Sequence, residues 1–244
     1  MPSTSNTAPA FFLDTWSVYQ KVVEHNYLSH REIGSATALI LSKFPKGSYR
    51  LLDLGCGDAK TIAPILERHP PRHYTGVDLS GVALEQAGDY LRNLSSEKQL
   101  IEADMLGFLC RNRESFDVVI VNFSLHHLQS EGKLALIKGV SRHMNPEGSL
   151  IMGDVFRRGE EKLADYLDRY AEDIKLNWDR LDTHEKAYTI EHVRNNDLPE
   201  TIDAIRNMGL LAGLDPLNIL FQSGANALLE LKKEVPIEPA DQGN

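Results

Sequence analysis

Cysteine is scarce in this chain: two in 244 residues, Cys56 and Cys110. That excludes a disulfide framework or a cysteine-rich metal site and makes a reducing, cytoplasmic setting the expectation. Basic charge is short as well. Lys and Arg number 26 against 35 Asp and Glu, a formal net charge of −9, so no surplus of cations offers itself to a nucleic-acid backbone or an anionic membrane. The one basic run, Phe156-Arg157-Arg158, reads as a solvated helix start. No apolar run is long enough to span a bilayer, and residues 1–10 lack both the apolar core of a secretory signal and the arginines of a transit peptide. Repeats and low-complexity segments are missing too. So are two phosphate-binding signatures. No Gly-Lys-Ser/Thr closes a Walker loop, and the third glycine of a dinucleotide fingerprint, three residues after Gly57, is replaced by Lys60, whose long side chain obstructs close helix-to-strand packing.

What the chain does have is Arg50-Leu-Leu-Asp-Leu-Gly-Cys-Gly-Asp58. Leu51, Leu52 and Leu54 are the apolar run of a central strand, and Gly55 and Gly57 let the backbone turn tightly beside a bound molecule. The helix predicted over 60–68 tolerates Pro64 only in its first turn. Strand, glycine turn and helix start form a cradle whose free N–H groups favour a negative ligand group.

Upstream, Phe12, Trp16, Tyr19, Val23 and Tyr27 recur at helical spacing, which predicts an aromatic amphipathic helix over 11–30 and a second over 31–44. Downstream, strands are predicted at 74–78, 100–103, 116–122 and 149–155, alternating with helices over 82–94 and around 134–140. A long amphipathic helix from Leu163 to Ile174 and a polar stretch to Asn196 follow, then a helix over 199–208 and a hairpin of 216–222 with 225–231 joined at Ser223-Gly224. This pattern predicts a single α/β domain, doubly wound around a mostly parallel sheet, with ligands at the carboxyl ends of the strands. Its parts are a helical cover (11–45), a cofactor-binding core (48–156), a helical lid (157–198), a closing helix and antiparallel hairpin (199–233), and a frayed tail (234–244).

Three acidic residues stand at successive strand ends. Asp78 is placed to accept from both hydroxyls of a ribose, Asp104 from an adenine amine, and Asp53, beside the glycines, to compensate an ammonium group. A ligand with adenosine, an amino-acid head and a positive centre uses all three.

With these residues the chain resembles the class I S-adenosylmethionine-dependent methyltransferases. The resemblance rests on Leu52 to Ala59, on Gly76-Val-Asp-Leu-Ser80, on Ala103-Asp-Met105, on Phe116 to Asn122 running into Leu125-His-His-Leu128, and on Asn145-Pro-Glu-Gly-Ser-Leu150. It covers about residues 48–156 well and the hairpin more loosely. It implies a seven-stranded sheet in the order 3-2-1-4-5-7-6 and S-adenosyl-L-methionine as cofactor. By the same resemblance Asp53, Gly55, Cys56 and Gly57 line the methionine moiety, Asp78 and Leu79 the ribose, Asp104 and Met105 the adenine, and Asn122 and Phe123 the sulfonium end. Ala59 departs from the pattern, since many members carry a third glycine there.

His126 and His127 follow the fourth strand, where the family places substrate-facing residues, and an imidazole takes up a proton near neutral pH. One of the pair is expected in the pocket and the other in a packing or capping role. No third ligand is placed by spacing, so no metal is expected. The fourth-strand exit, Asn122-Phe-Ser-Leu125, lacks the Asn-Pro-Pro-aromatic tetrad of enzymes that methylate base or amide nitrogens. With the acidic charge, this points to O- or N-methylation of a small molecule, with neither nucleic acid nor membrane as partner. Expected substrate contacts are Tyr19, Tyr27, His30, Asp154, Tyr188 and His192. Two alternatives stay open at this point: an NAD(P)-dependent oxidoreductase, and a non-catalytic subunit that binds S-adenosylmethionine.

Overall fold

The central strands of the chain are apolar on both faces, and a strand of that kind is stable only with helices packed on each side. In β1 (Arg50–Leu54) and β4 (Phe116–Asn122) the residues Leu51, Leu52, Leu54 and Val118 to Val121 have no solvent exposure. The computed structural model describes residues 18–233. Around β1 and β4 it places β2 (His73–Asp78), β3 (Glu97–Glu102), β5 (Met144–Val155), β6 (Leu214–Ser223) and β7 (Asn226–Lys233). They form one seven-stranded sheet in the order β3-β2-β1-β4-β5-β7-β6, as expected. The pairings from β3 to β5 are parallel, while β7 runs antiparallel to both β5 and β6.

Side chains alternate across the sheet and sort into two cores. On one face Leu51, Val118, Ile120 and Leu228 meet α1 (His30–Leu41), α2 (Ala63–Arg68) and α3 (Gly81–Tyr90) through Ile40, Leu66 and Ala87. On the other, Leu52, Val119, Val121 and Leu229 meet α4 (Met105–Arg111), α5 (Ser130–His143) and α8 (Ile202–Leu210) through Phe108, Ile137 and Ile205. A third cluster joins Val18 and Val22 to Tyr166, Tyr170, Ile174, Trp178 and Val193. It builds a layer over the carboxyl ends of the strands from residues 18–24, α6 (Leu163–Asn177) and α7 (Thr183–Asn196).

Several boundaries differ from the sequence expectation, each for a local reason. The first helix ends at residue 24, not 30. Asn26 and Ser29 there take left-handed backbone angles (φ 59° and 58°), and the Asn26 carboxamide accepts from the N–H of Arg31 at 2.9 Å, capping the next helix. The remainder of that helix, 11–17, and the tail from 234 lie outside the described residues. Strand β3 starts three residues early because it is a polar edge strand paired only with β2. Strand β5 begins at Met144, ahead of the expected 149, and takes in Asn145-Pro-Glu-Gly148 through an irregularity in its register with β4. Pro64 falls in the first turn of α2. The polar stretch to Asn196 becomes helix α7, started by a capping box between Asp182 and Glu185. None of the described helices is long and apolar enough to cross a membrane.

Candidate functional site

The glycine turn after β1 is fixed before any ligand arrives. The N–H groups of Gly55 and Cys56 both donate to the carbonyl of Val77, at 2.8 and 3.1 Å, which pins the turn to the end of β2. Gly55 has φ 72°, and a Cβ on it would lie 2.6 Å from the Ser124 side chain. Ala59 takes φ 56°, a left-handed angle that glycine adopts more cheaply, where the resemblance marks an alanine-for-glycine departure. Asp78 accepts from the N–H of Gly57 at 2.8 Å with one oxygen and from that of Ser80 at 2.9 Å with the other. Its remaining lone pairs face a cavity of about 600 Å³ at the carboxyl ends of the strands.

That cavity brings together all ten of the sequence-predicted cofactor contacts. Asp53, Asp78 and Asp104 line it with Gly55, Cys56, Gly57, Leu79, Met105, Asn122 and Phe123. Asp53 is only 4% exposed and accepts from the Tyr74 hydroxyl at 3.0 Å. Burial, with a smaller push from Asp78, raises its carboxyl to about 7. Asp104 also caps α4, accepting from the N–H of Gly107 at 2.6 Å. Phe123 holds the chain in a left-handed angle (φ 49°), and its N–H donates to Gly153 at 2.7 Å, turning its ring toward His30, with 4.6 Å between centroids. Strained backbone of this kind persists where surrounding contacts over-determine it.

Of the expected substrate contacts, Tyr19, His30 and His192 line this cavity. A smaller one of about 160 Å³ adjoins it, sharing Tyr19, Phe123, His127 and His192 and adding Tyr188. Neither ring nitrogen of His30 has a hydrogen-bond partner among the described residues, and burial lowers its imidazole to about 4. Two expectations need correcting. Tyr27 lines neither cavity: its ring stacks on Trp178 at 4.7 Å, and its hydroxyl donates to Asp179 and accepts from the N–H of Arg180. Asp154 is buried beneath the site, where it accepts from the N–H groups of Leu125 and His126 and from His126 Nδ1 at 2.5 Å.

The two histidines have different surroundings. His127 lines both cavities, with 44% of its side chain accessible, whereas His126 is buried and borders only the smaller. Burial opposes the His126 imidazolium, but Asp154 and then Asp197 outweigh it, so His126 titrates above an ordinary histidine. Asp197 is the site residue that the sequence reading missed. It follows α7 and is 6% exposed, with Oδ1 3.7 Å from both His126 Nε2 and His127 Nδ1. Burial raises its carboxyl to about 6. The neighbouring Leu198 N–H donates to the His126 carbonyl at 2.8 Å and holds this segment in place.

Known proteins share this architecture and sequence. A methyltransferase-domain family model matches residues 51–148. A carboxy-S-adenosyl-L-methionine synthase of Aeromonas salmonicida is 31% identical over 192 residues, covering 75% of this chain and 76% of that protein. Its counterpart from Aeromonas hydrophila is 28% identical over 232 residues, 91% of this chain and 90% of that one. Among solved structures, a plantazolicin methyltransferase in complex with a substrate analogue and SAH gives a TM-score of 0.63 at 14% identity over 90% of each chain. Magnesium protoporphyrin IX methyltransferase from Synechocystis with bound SAH gives 0.59 at 14% identity, covering 85% of this chain and 84% of that one. The oxidoreductase alternative and the non-catalytic one fall with these matches. Sheet order, cleft and relatives together place the chain in the class I S-adenosylmethionine-dependent methyltransferase family, as an enzyme that takes S-adenosylmethionine as its cofactor.

Proposed function

We propose that the protein methylates a small molecule at an ionisable oxygen or nitrogen. When bound, S-adenosylmethionine supplies a methyl group on a sulfonium. The protein's part is to align the acceptor with it and to keep water away. Asp78 and Leu79 hold the ribose in this reading, Asp104 and Met105 the adenine, and Asp53 with the Gly55-Cys56-Gly57 turn the amino-acid end. Asn122 and Phe123 stand at the sulfonium.

The observation that carries the reading is the shared wall between the two cavities. Phe123 and His127 belong to both, so an acceptor in the smaller chamber lies next to the Phe123 end of the cofactor cleft. At about 160 Å³, walled by Val22, Val155, Tyr170 and Trp178, that chamber suits a small, partly apolar molecule or group. Tyr19, Tyr188 and His192 are polar groups such an acceptor meets in the smaller chamber, while His30 lines the larger one beside the Phe123 ring. Its proton leaves at the cluster formed by His126, His127 and Asp197.

The test is S-adenosylhomocysteine formation from S-adenosylmethionine across phenols, carboxylic acids and amines. Turnover is expected for at least one class, with His126→Ala or His127→Ala lowering kcat about 100-fold or more while S-adenosylhomocysteine still binds. Failure of every acceptor to yield product above the protein-free rate would overturn the proposal.

The relatives' name supports a second reading, synthesis of a carboxylated S-adenosylmethionine. A product carboxylate beside the sulfonium calls for a cationic partner. Neither of these cavities has a Lys or Arg among its described lining residues, and residues 1–17 contain none in sequence. The lining therefore favours methyl transfer. Mass spectrometry of nucleoside released from the purified protein distinguishes the two: a carboxylated species would replace our reading with this one.

A further inference from the structure

We propose that His126, His127 and Asp197 form a binding site for a first-row divalent cation, zinc foremost, at the junction of the two cavities. One ring nitrogen of His126, one of His127 and a carboxylate oxygen of Asp197 lie within 4.8 Å of one another. Asp197 Oδ1 stands 3.7 Å from both His126 Nε2 and His127 Nδ1. That is too long for a hydrogen bond. It is within a few tenths of an ångström of the roughly 3.4 Å that separates two ligands on one tetrahedral zinc with bonds of about 2.0–2.1 Å. Such a donor set, two imidazoles and a carboxylate with room for a fourth ligand, suits zinc better than magnesium or calcium.

Two further observations point to a cation between these groups. Asp197 Oδ1 is buried without a hydrogen-bond partner among the described residues, on a residue 94% withdrawn from solvent, and a buried carboxylate oxygen left unpaired is costly. The other nitrogen of His126, Nδ1, contacts Asp154 at 2.5 Å. A carboxylate behind a histidine fixes the tautomer that leaves Nε2 free to ligate, and metal-binding histidines commonly carry such a partner. His127 Nδ1 also contacts the carbonyl of Asn196 at 3.4 Å, a long hydrogen bond that requires the proton on Nδ1 and that ligation would replace. The spacing His126, His127, then Asp197 shows no ligand pattern in sequence. The α7 exit brings the third donor in.

The fourth position belongs to water or to the acceptor. When a cation occupies the site the two imidazoles are ligands and no longer bases; the cation takes over their part by lowering the pKa of an acceptor hydroxyl or amine bound to it, and the proton goes to solvent. That role rests on the methyl-transfer reading, whereas the site itself does not.

The test uses the full chain, stripped with a chelator and dialysed. Zinc titrated against a chromogenic competitor should bind at one equivalent with submicromolar affinity, and cobalt in its place should give the visible absorption of a four-coordinate site. Asp197→Asn and His127→Ala should each weaken zinc at least tenfold, and Asp154→Asn should weaken it through His126. S-adenosylhomocysteine binding, followed by thermal shift, reports that each variant has folded. Absence of stoichiometric zinc, or equal affinity in Asp197→Asn and His127→Ala, overturns the site. Zinc bound as described with no acceptor turned over would overturn the methyl-transfer reading and leave the site standing. Turnover indifferent to chelation in a protein that binds no zinc would do the reverse.

Discussion

We expect a single buried carboxylate to couple this protein's stability to its ligand. Asp53 carries a folded-state value of about 7 against 3.8 when unperturbed, because burial disfavours its charge. Between these values the folded chain keeps a proton that the unfolded chain has lost. The contribution to stability is therefore complete below about pH 4 and is lost as pH rises through about 7, amounting to something on the order of 4 kcal/mol. A cationic ligand end reverses the preference by favouring the ionised form. In differential scanning calorimetry the ligand-free protein should lose more stability between pH 5 and 8 than Asp53→Asn. Calorimetric titration of S-adenosylmethionine in buffers of different ionisation enthalpy near pH 6.5 should show proton release. No release would mean that Asp53 does not face the cationic end. Gly55 is the second sensitive residue. Its φ of 72° and a prospective Cβ 2.6 Å from Ser124 make Gly55→Ala strained and crowded. We expect at least a tenfold loss of S-adenosylhomocysteine affinity, measured by fluorescence titration.

At the scale of elements, the layer over the strand ends depends on how its helices start. Helix α7 is mostly exposed, and Asp182 accepts from the N–H of Glu185 at 2.8 Å while the Glu185 carboxylate takes the N–H of Asp182 at 3.0 Å. Asp182→Ala should remove about 1 kcal/mol from this helix. Hydrogen exchange should report faster opening over 183–196 with β1 and β4 unchanged. A uniform change across the sheet would instead mean that this layer and the core unfold as one. Elements whose partners lie close in sequence were the legible ones. Strand β1, the glycine turn and strand β4 announce themselves by continuous apolar runs and by glycines that the backbone requires. Strand β3 did not show its full length, because an exposed edge strand lacks a hydrophobic pattern to read. The break at Asn26 was equally hidden, since the aromatic spacing runs on through it and only the bond to Arg31 reveals the turn.

Across the whole molecule, a buried lysine joins the segment after α7 to the core. Lys133, 1% exposed, donates from Nζ to the carbonyls of Leu128 and Leu198, each at 2.5 Å, and lies 3.9 Å from Glu200. Glu200 in turn accepts from Ser130 and from Arg157. This network holds the segment after α7 against the turn that bears the two histidines. Lys133→Met should lower unfolding free energy by about 2–3 kcal/mol in urea titration, by leaving the Leu128 and Leu198 carbonyls without their donor and removing a cation from beside Glu200. It should also lower kcat more than it raises KM for S-adenosylmethionine, because Asp197 shifts while the cofactor cleft does not. An equal effect on both would argue that the network serves stability alone.

The sequence by itself determined the sheet, the cofactor cleft and the family, because each rests on local chemistry: apolar runs that demand burial, glycines in left-handed turns, and carboxylates at strand ends. It determined the acceptor side much less. Asp197 sits seventy positions from His127 in a polar run with no periodicity, and only the packing of α6 and α7 over the strand ends brings it within 3.7 Å of both histidines. Asp154 and Tyr27 had the residue types of substrate contacts, yet tertiary packing turned one beneath His126 and the other onto Trp178. A contact between distant segments leaves no trace in the order of residues along the chain. The proposed acceptor site is built from such contacts, and the three-dimensional arrangement alone brings its residues together.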